Sequence, residues 1–279
     1  MAQVFHSHCK INLGLEILRK RPDGYHDINT LFYRLDGISD SLIVSGSAKY
    51  ELEVRGLNVP ADSNNLVTKA IEACARFAHI DVPKLRIVLE KKIPAGAGLG
   101  GGSANAAKAI EIFSASANPL SEEEKFCIAR SLGADVPFFL MAGKSAVASG
   151  IGDILTPVSI ILPYTFLIVK PRTISISTTE AYSKLEIPIR DEPTDFALAA
   201  ERPLPQWRNH IVNDFESVAF KMAPSLRVLK GSLYDHGANF ALMSGSGSAF
   251  LAVFAKREVA DQASDYFTAD TTLEVFLSE

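Results

Sequence analysis

IPAGAGLGGGSANAA, residues 93–107, sets five glycines (Gly96, Gly98, Gly100, Gly101 and Gly102) within seven positions and then turns to alanine. Glycine loses more conformational freedom on ordering than any other residue, so such a run at the head of a helix-forming stretch needs a physical reason. Upstream, LRIVLEKKIP (85–94) reads as a strand ending at Pro94; downstream, Ser103 to Ala115 reads as a helix of small residues. A strand that passes through side-chain-free residues into a helix gathers backbone N–H groups and the helix's positive end at one point. Phosphate is the natural guest of such a place. A close glycine-mediated contact between helix and sheet is the alternative.

Other phosphate loops fit less well. GAGLGG matches the letters G-x-G-x-x-G, but a dinucleotide fold wants an acidic residue closing the next strand about 20 residues on. That place holds Glu122 to Glu124, at a predicted helix start. MAGKSA supplies Gly143, Lys144 and Ser145, yet the earlier glycine of a Walker A loop is replaced by Phe138. The protein-kinase motif set is missing as well.

The 279 residues, 47% hydrophobic and 22% charged, suffice for a large core or two ordinary ones. A net charge of −4 without a long basic run does not indicate duplex nucleic acid or an anionic membrane surface as partner. Cys9, Cys74 and Cys127 are odd in number and far apart, which points away from a disulfide framework and toward a reducing compartment. With no apolar run long enough to span a bilayer and no signal-like start, the cytoplasm is the expected location.

Along the chain, residues 3–18 read as a strand, followed by a turn at RKRPDGYHD and strands at LFYRL, SLIVSG and YELEVRG. NNLVTKAIEACARFAHI has helical spacing, with Leu66, Ala70, Ala73 and Phe77 on one stripe. SEEEKFCIARSLG predicts a helix with a Ser121/Glu124 capping box and Gly133 at its end. SAVASGIGDIL and TFLIVKP read as strands. Helices are expected near 210–223, 224–236 and 257–267, with strands in NFALMSGSGSAFLAVFA and TLEVFL. Residues 186–206, with four prolines, form the most linker-like stretch. The pattern is α+β, in two lobes parting near 155–165.

Three further stretches bear on the glycine loop. CKINLGL puts Lys10 and Asn12 on one side of a strand; an edge lysine snorkelling to water is the ordinary alternative. LGADVPFF places Asp135 just past a helix end, where Pro137 biases Val136 toward extended geometry, although plain turn chemistry also explains an aspartate there. ALMSGSGSAF holds Gly245 and Gly247 between two strands, as a hairpin turn would. His6 and His8 share a strand face while Cys9 points away, a poor metal geometry, so no metal ligand set is assigned.

Taken in order, KINLGL, RKRPDGYH, KKIPAGAGLGGGSANAA, GADVPFF and MSGSGS resemble the GHMP kinases, a likeness that runs from residue 10 to about residue 248. KINLGL with DGYH and GADVPFF resembles most the branch whose acceptor is 4-diphosphocytidyl-2-C-methyl-D-erythritol. The chain departs from the pattern at His8 and Cys9, before the lysine, and at Ile151; its C-terminal part matches weakly.

The resemblance implies a two-lobed fold: an N-terminal lobe like ribosomal protein S5 domain 2 and a ferredoxin-like α/β sandwich C-terminal lobe. It implies an ATP-binding domain over 1–158 and a second GHMP kinase domain over 159–279. By the same resemblance, ATP phosphorylates the acceptor's 2-hydroxyl, a step of non-mevalonate isoprenoid precursor synthesis. Asp135 is then the general base, and Lys10, close to it, keeps that carboxylate ionised and favours developing negative charge. Pro94, Ala95, Gly96, Ala97, Gly98, Leu99, Gly100, Gly101, Gly102, Ser103 and Ala104 wrap the ATP phosphates. Mg²⁺ is held mainly through those phosphates, with Ser103 a ligand candidate.

Asn65 matches the position near the nucleotide base, although a helix N-cap, which Asn64 would serve equally, is its ordinary reading. Asn12 falls on the acceptor side. Tyr25 offers a ring and His26 a donor and acceptor for the cytosine edge. SISTTEAY, aligned by spacing, implies Thr178 and Tyr182 as their partners. Phe32 supports that pocket or simply fills the core.

Overall fold

The computed structural model describes residues 2–278. The chain forms two compact units, each made of separate segments. The first comprises the residues up to Cys9, Ser39–Ala95 and Gly100–Ala142; the second comprises Lys10–Ile38, Gly96–Leu99 and the chain from Gly143 onward. The first two strands each contribute residues to both units.

In the first unit, β1 (Gln3–Lys20) begins and β2 (His26–Gly46) ends. Next come β3 (Glu51–Gly56), α1 (Leu66–Phe77), β4 (Leu85–Lys91), α2 (Gly101–Ser116) and α3 (Glu122–Leu132). β4 runs antiparallel to residues 41–46 of β2 and parallel to β3. Alternate residues Leu42, Val44, Ile87 and Leu89 are buried against α1 and α2, as period-2 patterning requires. The buried face of α1 is Val67, Ala70, Ile71 and Cys74, and Phe77 is exposed. The expected stripe through Leu66, Ala73 and Phe77 is thus displaced by one position, because both helix and sheet neighbours bear on the 67/71/74 side. α3 has its capping box: the Ser121 hydroxyl accepts the Glu124 N–H, and the Glu124 carboxylate accepts the Ser121 N–H.

LFYRL and SLIVSG read as two strands, yet they are one. The intervening Asp40 looks like a break but is fully buried and hydrogen-bonded within the strand's surroundings.

The second unit continues with β5 (Ser145–Ser149), β6 (Ile154–Val158), β7 (Thr165–Pro171), α4 (Thr178–Lys184), α5 (Phe196–Glu201), α6 (Trp207–His210), α7 (Phe215–Met222), α8 (Ser225–Asp235), β8 (Phe240–Met243), β9 (Phe250–Phe254), α9 (Arg257–Thr268) and β10 (Leu273–Ser278). β5 pairs antiparallel with residues 30–33 of β2 and with β6. A separate antiparallel sheet has the order β10-β7-β9-β8. Its inner residues Leu167, Val169, Phe250, Ala252 and Phe254 pack with Phe215, Leu226, Leu233, Ala260 and Phe267 from the helices. Burying each such large side chain contributes about 1.5–3 kcal/mol.

Two expectations in this unit change. A single helix over 210–223 is interrupted because residues 212–214 pair with β1 instead: the Leu15 N–H donates to the Val212 carbonyl and the Asp214 N–H to the Leu15 carbonyl. The linker-like stretch 186–206 is anchored and partly helical. Buried Glu16 accepts the Thr194 N–H and hydroxyl and an Asn29 amide hydrogen, and Arg190 pairs with both Glu16 and Asp214. α4 was not expected; Ser177 caps it through its hydroxyl. No helix among the described residues is long and apolar enough to cross a membrane.

Candidate active site

The glycine loop is where strand β4 gives way to helix α2. Gly96, Gly98 and Gly100 have φ of +64°, +76° and +65°, the left-handed region that favours glycine. Two glycines are demanded by the chain itself rather than by a guest. A Cβ on Gly98 would stand 2.1 Å from the Ser244 carbonyl oxygen, and one on Gly101 would meet Ile93 Cγ2 at 2.6 Å and Lys91 Nζ at 2.9 Å. Gly96 and Gly102 have more room, their nearest contacts being Ser175 Oγ at 4.0 Å and Leu66 Cδ1 at 3.3 Å. The side chains of Ala97 and Leu99 are buried, whereas Ala95 and Gly96 are exposed.

The first bond of α2 runs from the Ala104 N–H to the Gly100 carbonyl. Helical geometry therefore leaves the N–H groups of residues 101–103 without intrahelical acceptors, at the positive end of a 16-residue helix. Ser103, half-buried, stands in that first turn. Such a terminus receives an anion readily.

Within the second unit, Lys10 is buried at 4% exposure and does not snorkel. Its Nζ donates to Asn12 Oδ1 at 2.7 Å and lies 4.4 Å from the centroid of the Phe32 ring. Asn12 Nδ2 donates in turn to Thr30 Oγ1 at 2.8 Å, and that hydroxyl donates to the Gly14 carbonyl. The Lys10 N–H donates to the Leu99 carbonyl, tying β1 to the glycine loop. Phe32 is thus a core residue that also faces the ammonium. A buried lysine with an amide oxygen and a ring face for company is an electrophilic group held in one place.

Asp135, in the first unit, occupies the turn between α3 and a short 3₁₀ helix at Pro137–Leu140, and is half-buried. The turn is closed by the Val136 N–H donating to the Gly133 carbonyl. Val136 is helical (φ −63°, ψ −42°) and not extended as the following proline suggested, because Pro137 takes the first position of the 3₁₀ helix, where its fixed φ suits the turn and its missing N–H costs nothing.

His26 and Tyr182, far apart in sequence, stack in the second unit with centroids 4.5 Å apart and planes 20° from parallel. Tyr182 in turn meets the edge of Phe215 at 4.8 Å. Burial first, and then the nearby Lys20 charge, lower the His26 pKa, favouring neutral imidazole. Tyr25, beside His26, is 61% exposed, so its ring is open to a partner. Thr178, one turn before Tyr182 on α4, shares a 2.8 Å hydroxyl–hydroxyl hydrogen bond with Ser246. This brings SISTTEAY to the second glycine turn.

Asn65 is the N-cap of α1, its Oδ1 accepting the Val67 N–H at 2.9 Å and its Nδ2 donating to the Pro60 carbonyl. Asn64 does not share that role; its N–H donates to Asp62.

Two residues absent from the sequence reading organise the second glycine turn. The Ser244 hydroxyl donates to the Gly98 carbonyl at 3.0 Å and accepts the Asn12 N–H. Buried Asn213 donates to the carbonyls of Met243 and Gly245 and accepts the Phe215 N–H. MSGSGS offered a signal for Ser244; nothing local marked Asn213. Among the described residues, no group of three or more His, Cys, Asp or Glu side chains is placed to hold a metal ion.

Residues 65–143 match the family described as GHMP kinases N terminal domain, and residues 197–270 match GHMP kinases C terminal. A 4-diphosphocytidyl-2-C-methyl-D-erythritol kinase of Azobacteroides pseudotrichonymphae is 40% identical over 255 residues, covering 89% of this chain and 92% of that protein. One from Nitratidesulfovibrio vulgaris is 40% identical over 273 residues, covering 94% and 93%. The crystal structure of a 4-(cytidine 5'-diphospho)-2C-methyl-D-erythritol kinase superposes with a TM-score of 0.82 at 30% identity, over 99% of this chain and 100% of that one. Methanococcus jannaschii mevalonate kinase, with a TM-score of 0.70 and 13% identity over 99% and 98% of the two chains, shares the fold.

Proposed function

The chain belongs to the GHMP kinases, in the family of the 4-diphosphocytidyl-2-C-methyl-D-erythritol kinases, and on that premise we propose that it transfers the γ-phosphoryl group of ATP to the 2-hydroxyl of 4-diphosphocytidyl-2-C-methyl-D-erythritol. The products are the 2-phosphate and ADP. The 40% identity to kinases of that acceptor, over 89% and 94% of this chain, carries the reading. The stacked His26–Tyr182 pair supports it, since a pyrimidine needs a flat apolar surface and an edge-reading group.

Phosphoryl transfer asks for alignment, charge neutralisation and a destination for the hydroxyl proton. Asp135 is assigned the proton. Lys10, held by Asn12, is assigned the charge that develops on the acceptor oxygen and γ-phosphate. The N–H groups at the start of α2 and the open backbone at Gly96 and Gly102 receive the phosphates. Ser103, the one side-chain oxygen in the first turn of α2, would help to hold Mg²⁺, and the ion would supply neutralisation of the phosphate charge. Tyr25, His26 and Tyr182 hold the cytosine, with Thr178 and Asn12 on the acceptor side; Asn65 lies toward the adenine. The cytoplasm is the compartment proposed, in keeping with three free cysteines.

A coupled ADP-release assay with the cytidylyl, homoserine and mevalonate acceptors tests the assignment. Turnover with the cytidylyl acceptor alone is expected. Turnover with homoserine or mevalonate instead would move the chain to another branch, and ATP binding without turnover on any of them would mark a non-catalytic relative.

A further inference from the structure

Asp40 is the most enclosed charge of the first unit, with no exposed surface, and it lies beneath both ends of the glycine loop. One carboxylate oxygen, Oδ1, accepts the N–H groups of Lys92 at 2.7 Å and Ile93 at 2.8 Å, the two residues immediately past the end of β4. There the sheet ladder with β2 has run out, and a side chain takes over the backbone donors that it would have satisfied. The other oxygen, Oδ2, accepts Lys91 Nζ at 2.5 Å and Asn105 Nδ2 at 2.9 Å. Asn105 sits in the second turn of α2, past the loop, and its amide also donates to Ser7 Oγ. Lys91 Nζ and Ile93 further form the surface on which Gly101 rests without room for a side chain.

We propose that Asp40 is a positioning residue for the phosphate loop, setting the distance between the strand that enters it and the helix that leaves it. This rests on the reading of residues 94–104 as the ATP phosphate site. The residue touches no reacting atom. Its four hydrogen bonds come from two segments of chain: the loop entry at 91–93, through the Lys91 ammonium and two backbone N–H groups, and the exit at Asn105. Lys91 has a second duty. A bare carboxylate under a site for polyphosphate would repel its guest, and the ammonium, with its side chain 3% exposed, cancels that charge locally. Lys91 and Asp40 are therefore required together, and neither carries a proton in the reaction.

The test uses the full chain with ATP and the cytidylyl acceptor, measuring both KM values, binding of a non-hydrolysable ATP analogue by calorimetry, and thermal unfolding. Asp40→Asn keeps the shape but puts an amide where four donors converge. It is expected to raise the ATP KM by about tenfold or more, as misplacement of a binding group does, with the acceptor KM within about twofold of wild type. Asn105→Ala breaks the exit bond, together with the bond to Ser7, and keeps the ion pair, so it remains informative if Asp40→Asn fails to fold; the same split with a smaller ATP effect is expected. Lys91→Met should weaken analogue binding more than the double variant Asp40→Asn/Lys91→Met, which removes the uncompensated charge. Equal movement of both KM values with a matching fall in melting temperature, or unchanged analogue affinity in Asn105→Ala, overturns the proposal. A wild-type chain that binds no ATP analogue would instead remove the reading on which it rests.

Discussion

Gly98 and Ser244 meet backbone to backbone: the position of a Cβ on Gly98 is 2.1 Å from the Ser244 carbonyl oxygen, while the Ser244 hydroxyl donates to the Gly98 carbonyl. Gly98 and the MSGSGS turn thus form one contact surface within the second unit. Part of the glycine content exists to let the chain approach itself.

Gly98→Ala is accordingly expected to lose stability, by about 1–3 kcal/mol, since backbone has to move and φ is +76°. Gly102→Ala is its control. There the nearest atom is the end of a leucine side chain at 3.3 Å, and alanine is the better helix former. Urea unfolding should separate the two. If Gly98→Ala is as stable as Gly102→Ala, the Ser244 contact does not constrain the loop.

Asp135→Asn should keep the fold and ATP binding while lowering kcat by about two to four powers of ten, the range for removal of a general base. The amide is nearly the same shape and cannot take the hydroxyl proton. Steady-state turnover within about threefold of wild type would take Asp135 out of that role.

Tyr25 is largely exposed, so removing its ring should leave the melting temperature almost unchanged. If the ring stacks on cytosine, Tyr25→Ala costs about 1–3 kcal/mol of acceptor binding, by analogy with base–aromatic stacking. Tyr25→Phe should restore most of it, and the ATP KM should barely move in either. Equal damage to both substrates, accompanied by lost stability, would make the tyrosine structural.

The lowered His26 pKa sets a pH dependence. Held below the ordinary histidine value of 6.5 by burial and then by Lys20, the folded imidazole stays neutral where the unfolded one has begun to bind protons. Folding stability from this residue is thus fully present above pH 6.5 and lost as pH falls through the lowered folded value. Acceptor KM should rise over the same acidic window while ATP KM does not. Subtracting the pH profile of His26→Gln from that of wild type isolates the effect. A difference profile that is flat between pH 7 and 5 would show that His26 does not titrate against the fold or the acceptor.

Local chemistry was enough for much of this molecule. The capping box at Ser121, the strand entering the glycine loop and the small-residue helix leaving it depend on neighbours within a few positions, and those neighbours are written in order. The glycine loop itself was legible for the same reason, but why each glycine is there was not. Gly98 answers to Ser244, 146 residues away, and Gly101 to Ile93 and Lys91 across the loop. Nor could spacing reveal that Asp40 continues a strand instead of ending it, that Asn213 holds the second glycine turn, or that Glu16 anchors a stretch that looked like a linker. A buried polar group takes whatever partner the fold brings within hydrogen-bonding distance, and the cost of leaving it unpaired is charged only once it is buried. Residue order determined which segments form strands, helices and an anion-receiving loop. Tertiary structure decided which polar side chains bind those segments into a site, because their partners come from distant parts of the chain.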